Sequence, residues 1–278
     1  MSATISGRLL PWLLILILGS GTAAAQNMSD GWRALADYRA ADAVGIFERL
    51  AAGADPAAGR EARFGRAVAL LARQPITPVQ IEEARGVLAG LAEGETDDVG
   101  LGARFYLARI AQHHVAQPDE AAAARLYREL IKLRPDSIWA QTALSRLAIL
   151  EIYALDAVLK PAERVARAER LIPLAKGPAA QSELHWLVAE AIFYYRLPDL
   201  SALPHLLAAE KLGRLDAVTQ ADVTIQIAEV SAIAGDLKQA RIFYQKLLDG
   251  FPRDQRRYMV QQKLAALDGK LGGSVTRP

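Results

Sequence analysis

Apolar residues along this chain recur at intervals of three and four, separated by polar and charged ones. The stretch Ile138-Trp139-Ala140-Gln141-Thr142-Ala143-Leu144-Ser145-Arg146-Leu147-Ala148 is representative. Its apolar positions trace a face wide enough to be buried against neighbours. No segment carries the period-two alternation, or the valine, isoleucine and threonine runs, of a strand. The helical pattern is broken at 53–56, 74–78, 94–100, 117–119, 134–136, 176–178, 197–199, Gly213, 235–236 and 250–252, each break holding glycine or proline. Glycine ends a helix at little cost, and proline cannot continue one but suits its first turn. Segments of roughly 11–18 residues lie between, ordinary lengths for helices. The pattern predicts an all-α chain of about a dozen helices in antiparallel pairs.

The N-terminus is patterned differently. Arg8 precedes the apolar run from Leu9 to Leu18, and Gly19-Ser20-Gly21-Thr22 follows it. Ala23-Ala24-Ala25 then offers small residues at the −3 and −1 positions of a cut. These features predict a cleavable signal peptide at 1–25, Gln26 as the new N-terminus, and a secreted or periplasmic product. A retained anchor is the competing reading. A spanning helix needs about 20 mostly apolar residues, whereas this run stops at Gly19 without a basic flank beyond it. No integral membrane span is expected after cleavage.

Composition narrows the picture. The chain has 278 residues, 52% of them hydrophobic, and no cysteine. That removes disulfide frameworks, thiolate zinc sites, iron–sulfur clusters and thiol nucleophiles. It also removes lipid attachment through a cysteine, so the product is not a lipoprotein. The 33 basic and 31 acidic side chains leave a formal charge of +2. Such balance argues against a nucleic-acid partner, which calls for a basic excess or patch.

Two segments repeat each other. Laid together without gaps, 104–137 and 221–254 share Ile110/Ile227, Ala111/Ala228, Asp119/Asp236, Ala123/Ala240, Tyr127/Tyr244, Leu130/Leu247 and Pro135/Pro252. Ala111 and Ala228 sit midway along a first helix, and Ala123 and Ala240 in a second, where small side chains admit a close neighbour. Tyr127 and Tyr244, four residues on, fill the gap, and Pro135 and Pro252 end the second helix. In this pattern the chain resembles the tetratricopeptide repeat family, whose units run about 34 residues. Gly235-Asp236 stands at the inter-helix turn, where that family commonly has it. Segments 42–50 and 81–91 are similar to second helices of such units, while 161–174 and 199–212 are helical with degenerate motifs. Pro135, Ser137, Ala140, Ala143 and Leu147 together resemble bacterial envelope members of the family. The resemblance implies a right-handed solenoid of antiparallel helix pairs over 26–278, with a closing helix at 255–271.

Signatures of catalysis are not found in the sequence. Of the four histidines, His113 and His114 are adjacent, so on a helix they point about 100° apart and cannot chelate one metal as an i,i+4 pair does. There is no His-Glu-x-x-His, no Gly-x-Ser-x-Gly elbow and no phosphate loop. Gly100-Leu101-Gly102 lacks the preceding strand of a dinucleotide site and reads as a flexible joint. The acid pairs Glu82-Glu83 and Asp97-Asp98 fall near helix starts, where they complement the macrodipole. His185-Trp186, between Glu183 and Glu190, are either packing residues or groove residues. No enzyme activity, cofactor or metal is expected.

A stack of helix pairs leaves a concave surface lined by the first helix of each pair. In the family's register that surface comprises Phe105, Ala108, Gln112 and Val115 in one repeat, and Asp222, Ile225, Glu229 and Ala232 in the other. The family's lysine–asparagine carboxylate clamp has no match there. Within Phe193-Tyr194-Tyr195-Arg196, successive side chains step round the helix, so not all can face the core. Tyrosine and arginine are enriched in binding hot spots, which makes Tyr194, Tyr195 and Arg196 groove contacts or inter-repeat packing. Arg253, Arg256 and Arg257 read as a helix-start surface or a contact for an anionic envelope polymer. The expected function is a non-catalytic, exported scaffold of the bacterial cell envelope, binding a protein or extended peptide in its groove. A helical accessory or enzyme acting on envelope polysaccharide or peptidoglycan is the alternative, and a homo-oligomer joined through an open solenoid end is a third reading.

Overall fold

The computed structural model describes residues 23–53, 55–156 and 158–273. The expected signal peptide lies outside them except for its last three residues, which open the first helix. Thirteen α-helices are present among the described residues, and no strand. They are α1 (Ala23–Ala36), α2 (Ala40–Ala51), α3 (Pro56–Ala72), α4 (Pro78–Ala92), α5 (Asp98–Arg109), α6 (Glu120–Leu133), α7 (Ile138–Tyr153), α8 (Pro161–Glu169), α9 (Pro178–Tyr194), α10 (Leu203–Leu212), α11 (Ala217–Ile233), α12 (Leu237–Gly250) and α13 (Arg257–Gly273). Helices pack chiefly on their neighbours in sequence. Those contacts gather into two compact units that meet between Ala140 and Gln141, inside α7. None of the described helices is long and apolar enough to cross a membrane.

In the first unit, the sequence supplies a stop and a start at each turn. Asp55 caps α3 by accepting from the Ala57 N–H, with Pro56 in the first turn. Thr77 and Gln80 form a capping box at α4, and the Asp119 carboxylate takes the Ala122 N–H at α6. Such caps satisfy N–H groups that the helix leaves without partners. Phe47 of α2 is fully buried, between Gly31 of α1 and Gly65 of α3. A Cβ at either glycine would lie 2.6 Å from its ring, so the three helices meet closely because neither position carries a side chain. Trp32 packs on Phe47 with centroids 5.1 Å apart, and Phe64 packs on Tyr106 and Trp139, each at 5.8 Å.

The joint expected at Gly100–Gly102 is corrected here. Asp97 accepts from the Gly100 N–H at 2.8 Å and starts α5 earlier, so both glycines lie buried inside the helix. Burial alone would raise the Asp97 carboxyl, but bonds from Arg60 and the Gly100 N–H hold it below its ordinary value. The helix then runs into a π-helical turn, Ile110–His114.

In the second unit, 161–174 divides into α8 and a 3-10 turn, Ile172–Leu174. Segment 199–212 divides into a 3-10 turn, Asp199–Ala202, and α10. Gly235 takes φ +81°, a left-handed conformation that closes α11 before Asp236 caps α12. The closing helix begins at Arg257 rather than 255, because the Asp254 carboxylate accepts from the Arg256 N–H at 2.8 Å and holds the preceding residues in turns.

Candidate binding face

Helices α9 and α11 are buried on most of their circumference, and each leaves one partly exposed stripe. On α9 it consists of Glu183, Trp186, Glu190, Phe193 and Tyr194; on α11 of Thr219, Asp222, Gln226, Glu229 and Ile233. The spacings of three and four put each set on one side of its helix. Hydrogen bonds join the stripes side by side. Gln226 Nε2 donates to Glu190 Oε1 at 2.7 Å, linking α11 to α9. Arg256 Nη1, in the turn before α13, donates to Asp222 Oδ1 at 2.7 Å, and Lys263 Nζ of α13 donates to Glu229, linking that turn and helix to α11. Each of these last two bridges spans 34 residues. The Arg256 guanidinium also grips both oxygens of Asp254, at 2.9 and 2.6 Å. That bonding raises Arg256 above its ordinary value and holds the Asp254 carboxyl down.

A tyrosine cluster closes one end of the α9 stripe. Tyr153 of α7 meets Tyr194 edge to face at 5.1 Å and stacks on Tyr195 at 6.2 Å. Tyr195 is anchored, its hydroxyl donating to the Ile152 carbonyl at 2.5 Å. The Tyr153 phenol is pushed up to about 12, first by burial and then by the charge of Glu190. Glu190 therefore sits close enough to the cluster to act on it electrically.

On the far side of α9 lies a histidine pair. His185 stands two residues from Glu183, about 200° round the helix. Its Nδ1 faces Nδ1 of His205, on α10, at 3.1 Å, and His205 Nε2 is 3.3 Å from Glu169 Oε1 at the end of α8. Burial lowers the value of both rings; proximity to His205 lowers His185 further, and Glu169 opposes the effect on His205. Among the described residues, no group of three or more histidine or acidic side chains is arranged to hold a metal ion.

The residues singled out from the sequence divide sharply. Tyr194 is 64% exposed, Tyr195 is half-buried, and Arg196 is exposed just past α9 with φ +53°. Asp222 and Glu229 lie on the α11 stripe. Ile225 is buried, and the exposed place beside it belongs to Gln226. Phe105, Ala108 and Gln112 are also buried, which corrects their assignment to an open groove. Phe105 fills the space between Tyr127 and Trp139, with centroids 5.8 and 5.5 Å away, and Gln112 accepts from the Tyr127 hydroxyl at 2.9 Å. Along that helix Tyr106 and Arg109, each one residue further on, are partly exposed, as are Arg104 and Leu107. Val115 and Ala232 are half-buried. Arg256 and Arg257 make no loose basic patch: Arg256 is held by Asp254 and Asp222, and Arg257 by the Leu248 carbonyl.

The positions that define the internal repeat are mostly interior. Ala123, Tyr127, Ala228, Ala240 and Tyr244 are buried. Ala111 is half-buried in the π-helical turn, and Pro135 and Pro252 are exposed just beyond α6 and α12. One further correspondence joins the two segments. As Tyr127 bonds Gln112, so Tyr244 faces Glu229, the residue aligned with Gln112; burial first, then that carboxylate, raises its phenol. Gln226 and Lys263 were not singled out in the sequence. The available signal was a polar residue at each turn of an otherwise apolar helix. Compared with known proteins, the chain matches no family model and no curated protein.

Proposed function

We propose that this chain is a non-catalytic, exported scaffold of the bacterial cell envelope, built of tetratricopeptide-like helix pairs. It binds a protein or extended peptide across the exposed stripes of α9, α11 and α13. One observation carries the reading: two side-chain bridges on the same face, Asp222–Arg256 and Glu229–Lys263, both span 34 residues, the length of one tetratricopeptide unit. A spacing repeated in this way joins equivalent helices of successive pairs. The stripes they join are the first helices of those pairs, the surface that stacked helix pairs offer to a ligand. Export rests on the pattern of residues 1–25.

The experiment is in-cell photo-crosslinking in the envelope fraction. A photoreactive residue at Gln226 should capture a discrete partner, and one at Lys238, exposed on α12, should not. Equal capture at both positions, or none at Gln226, would count against the assignment of the face.

A further inference from the structure

The charges on this face are unevenly shared. Acids of α11 are neutralised by Arg256, in the turn before α13, and by Lys263 of α13, in the pairs Asp222–Arg256 and Glu229–Lys263. Acids of α9 are not. Glu190 bonds only the neutral amide of Gln226, and Glu183 has no hydrogen bond or ion pair among the described residues. Two cations of neighbouring helices are engaged elsewhere: Arg167 of α8 with Asp156 and Glu151, and Lys246 of α12 with Glu210. Arg196, just beyond α9, makes no ion pair with either glutamate. Aromatic faces alternate with these acids. Trp186 lies between them, and Tyr194 follows Glu190 by one turn, braced edge-on by Tyr153 and Tyr195 at 5.1 and 5.0 Å.

Carboxylates interleaved with aromatic faces match one ligand chemistry, an organic cation, held by charge and by cation–π attraction. We propose that the α9 stripe Glu183–Trp186–Glu190–Tyr194 receives the lysine or arginine side chains of an extended, basic peptide segment. The proposal rests on the scaffold reading and adds the chemistry of its partner. Seven residues of helix place the two carboxylates about 10 Å apart along the axis, a distance an extended chain of polyproline II form covers in about three residues. Three residues also make one turn of that form, so lysines three apart share a face and reach both. The chain as a whole carries +2, so its overall charge repels such a peptide, and any attraction must be local.

The test uses the full chain and dye-labelled peptides followed by fluorescence anisotropy. One probe has lysine at every third position among serines, a second has glutamate there, and a third glutamine. Only the lysine peptide should bind, more weakly as salt is raised, because the site is partly exposed. Glu183→Gln should weaken it about tenfold, the scale of one lost charge contact, and Tyr194→Ala several-fold. Lys238→Gln, on another helix, should leave it unchanged. Circular dichroism would verify that each variant keeps its helices. Binding of the glutamate peptide as tightly as the lysine one would overturn the proposal, as would a Glu183→Gln variant of unaltered affinity. Capture of a partner at Gln226 with no affinity for the lysine peptide would remove the basic-peptide assignment and leave the scaffold reading standing.

Discussion

A methyl added at Gly65 would stand 2.6 Å from two atoms of the Phe47 ring. The ring is closed in by Gly31 on its other side and has no solvent to move into. Gly65→Ala is therefore expected to lower stability by about 1–3 kcal/mol through overpacking. Gly86, exposed on α4, would put its new methyl near nothing within 4 Å. There the same substitution should raise stability by about 0.5–1 kcal/mol, since alanine restricts the unfolded chain and favours helix. Urea midpoints of the two variants should move in opposite directions. Single residues also limited what could be read from the sequence. Ala123, Tyr127, Ala240 and Tyr244 declared their interior places by matching in two segments. Gln112 is polar yet buried because one hydroxyl satisfies its amide oxygen, and no spacing rule announces that.

The helical elements were legible because glycine and proline mark their ends and aspartates or a threonine cap their starts. The exceptions have local causes. Asp97 begins α5 before the expected break is over, and Asp254 delays α13 by engaging Arg256. The candidate face was only half legible, since a register one residue out turns Gln226 into Ile225 and Tyr106 into Phe105. Pattern fixes a helix face to within about 100° per residue, and on helices buried nearly all round that step decides whether a side chain meets solvent. The α8–α9–α10 contact makes a separate prediction. His185 and His205 are both held below their ordinary value by burial; His205 lowers His185 further, and Glu169 opposes the effect on His205. The folded state thus favours the neutral rings, and stability should be complete above pH 6.5 and decline as pH falls below it. The lowered carboxyls of Asp97, Asp216 and Asp254 release their contribution only at lower pH, so urea midpoints at pH 7.5 and 5.0 isolate the histidines. Changing His185 and His205 together to glutamine should flatten most of that difference. The remainder belongs to His114, which burial and Arg109 also lower.

For the whole molecule, the formal charge of +2 conceals a patterned surface. On the face formed by α9 and α11, the acids Asp222 and Glu229 are bridged, whereas Glu183 and Glu190 of α9 are not. Composition could exclude cysteine chemistry and a strongly basic surface, but it could not locate the unbridged acids of α9, which depend on Arg256 and Lys263 pairing with α11 instead. The same arrangement governs how the second unit should yield to mechanical load. Peeling away α13 and the turn before it breaks two bridges at once and strips Asp222 and Glu229 of their counter-ions, while the Gln226–Glu190 bond between α11 and α9 is still made. Drawn out from its C-terminal end in an optical trap, this unit should lengthen in discrete steps. The first step, residues 251–273, should release about 8 nm and the next, α11–α12 over residues 217–250, about 12 nm, at about 3.6 Å per residue. A chain whose helices are latched to others 34 residues away comes undone like a zip, tooth by tooth, rather than all together.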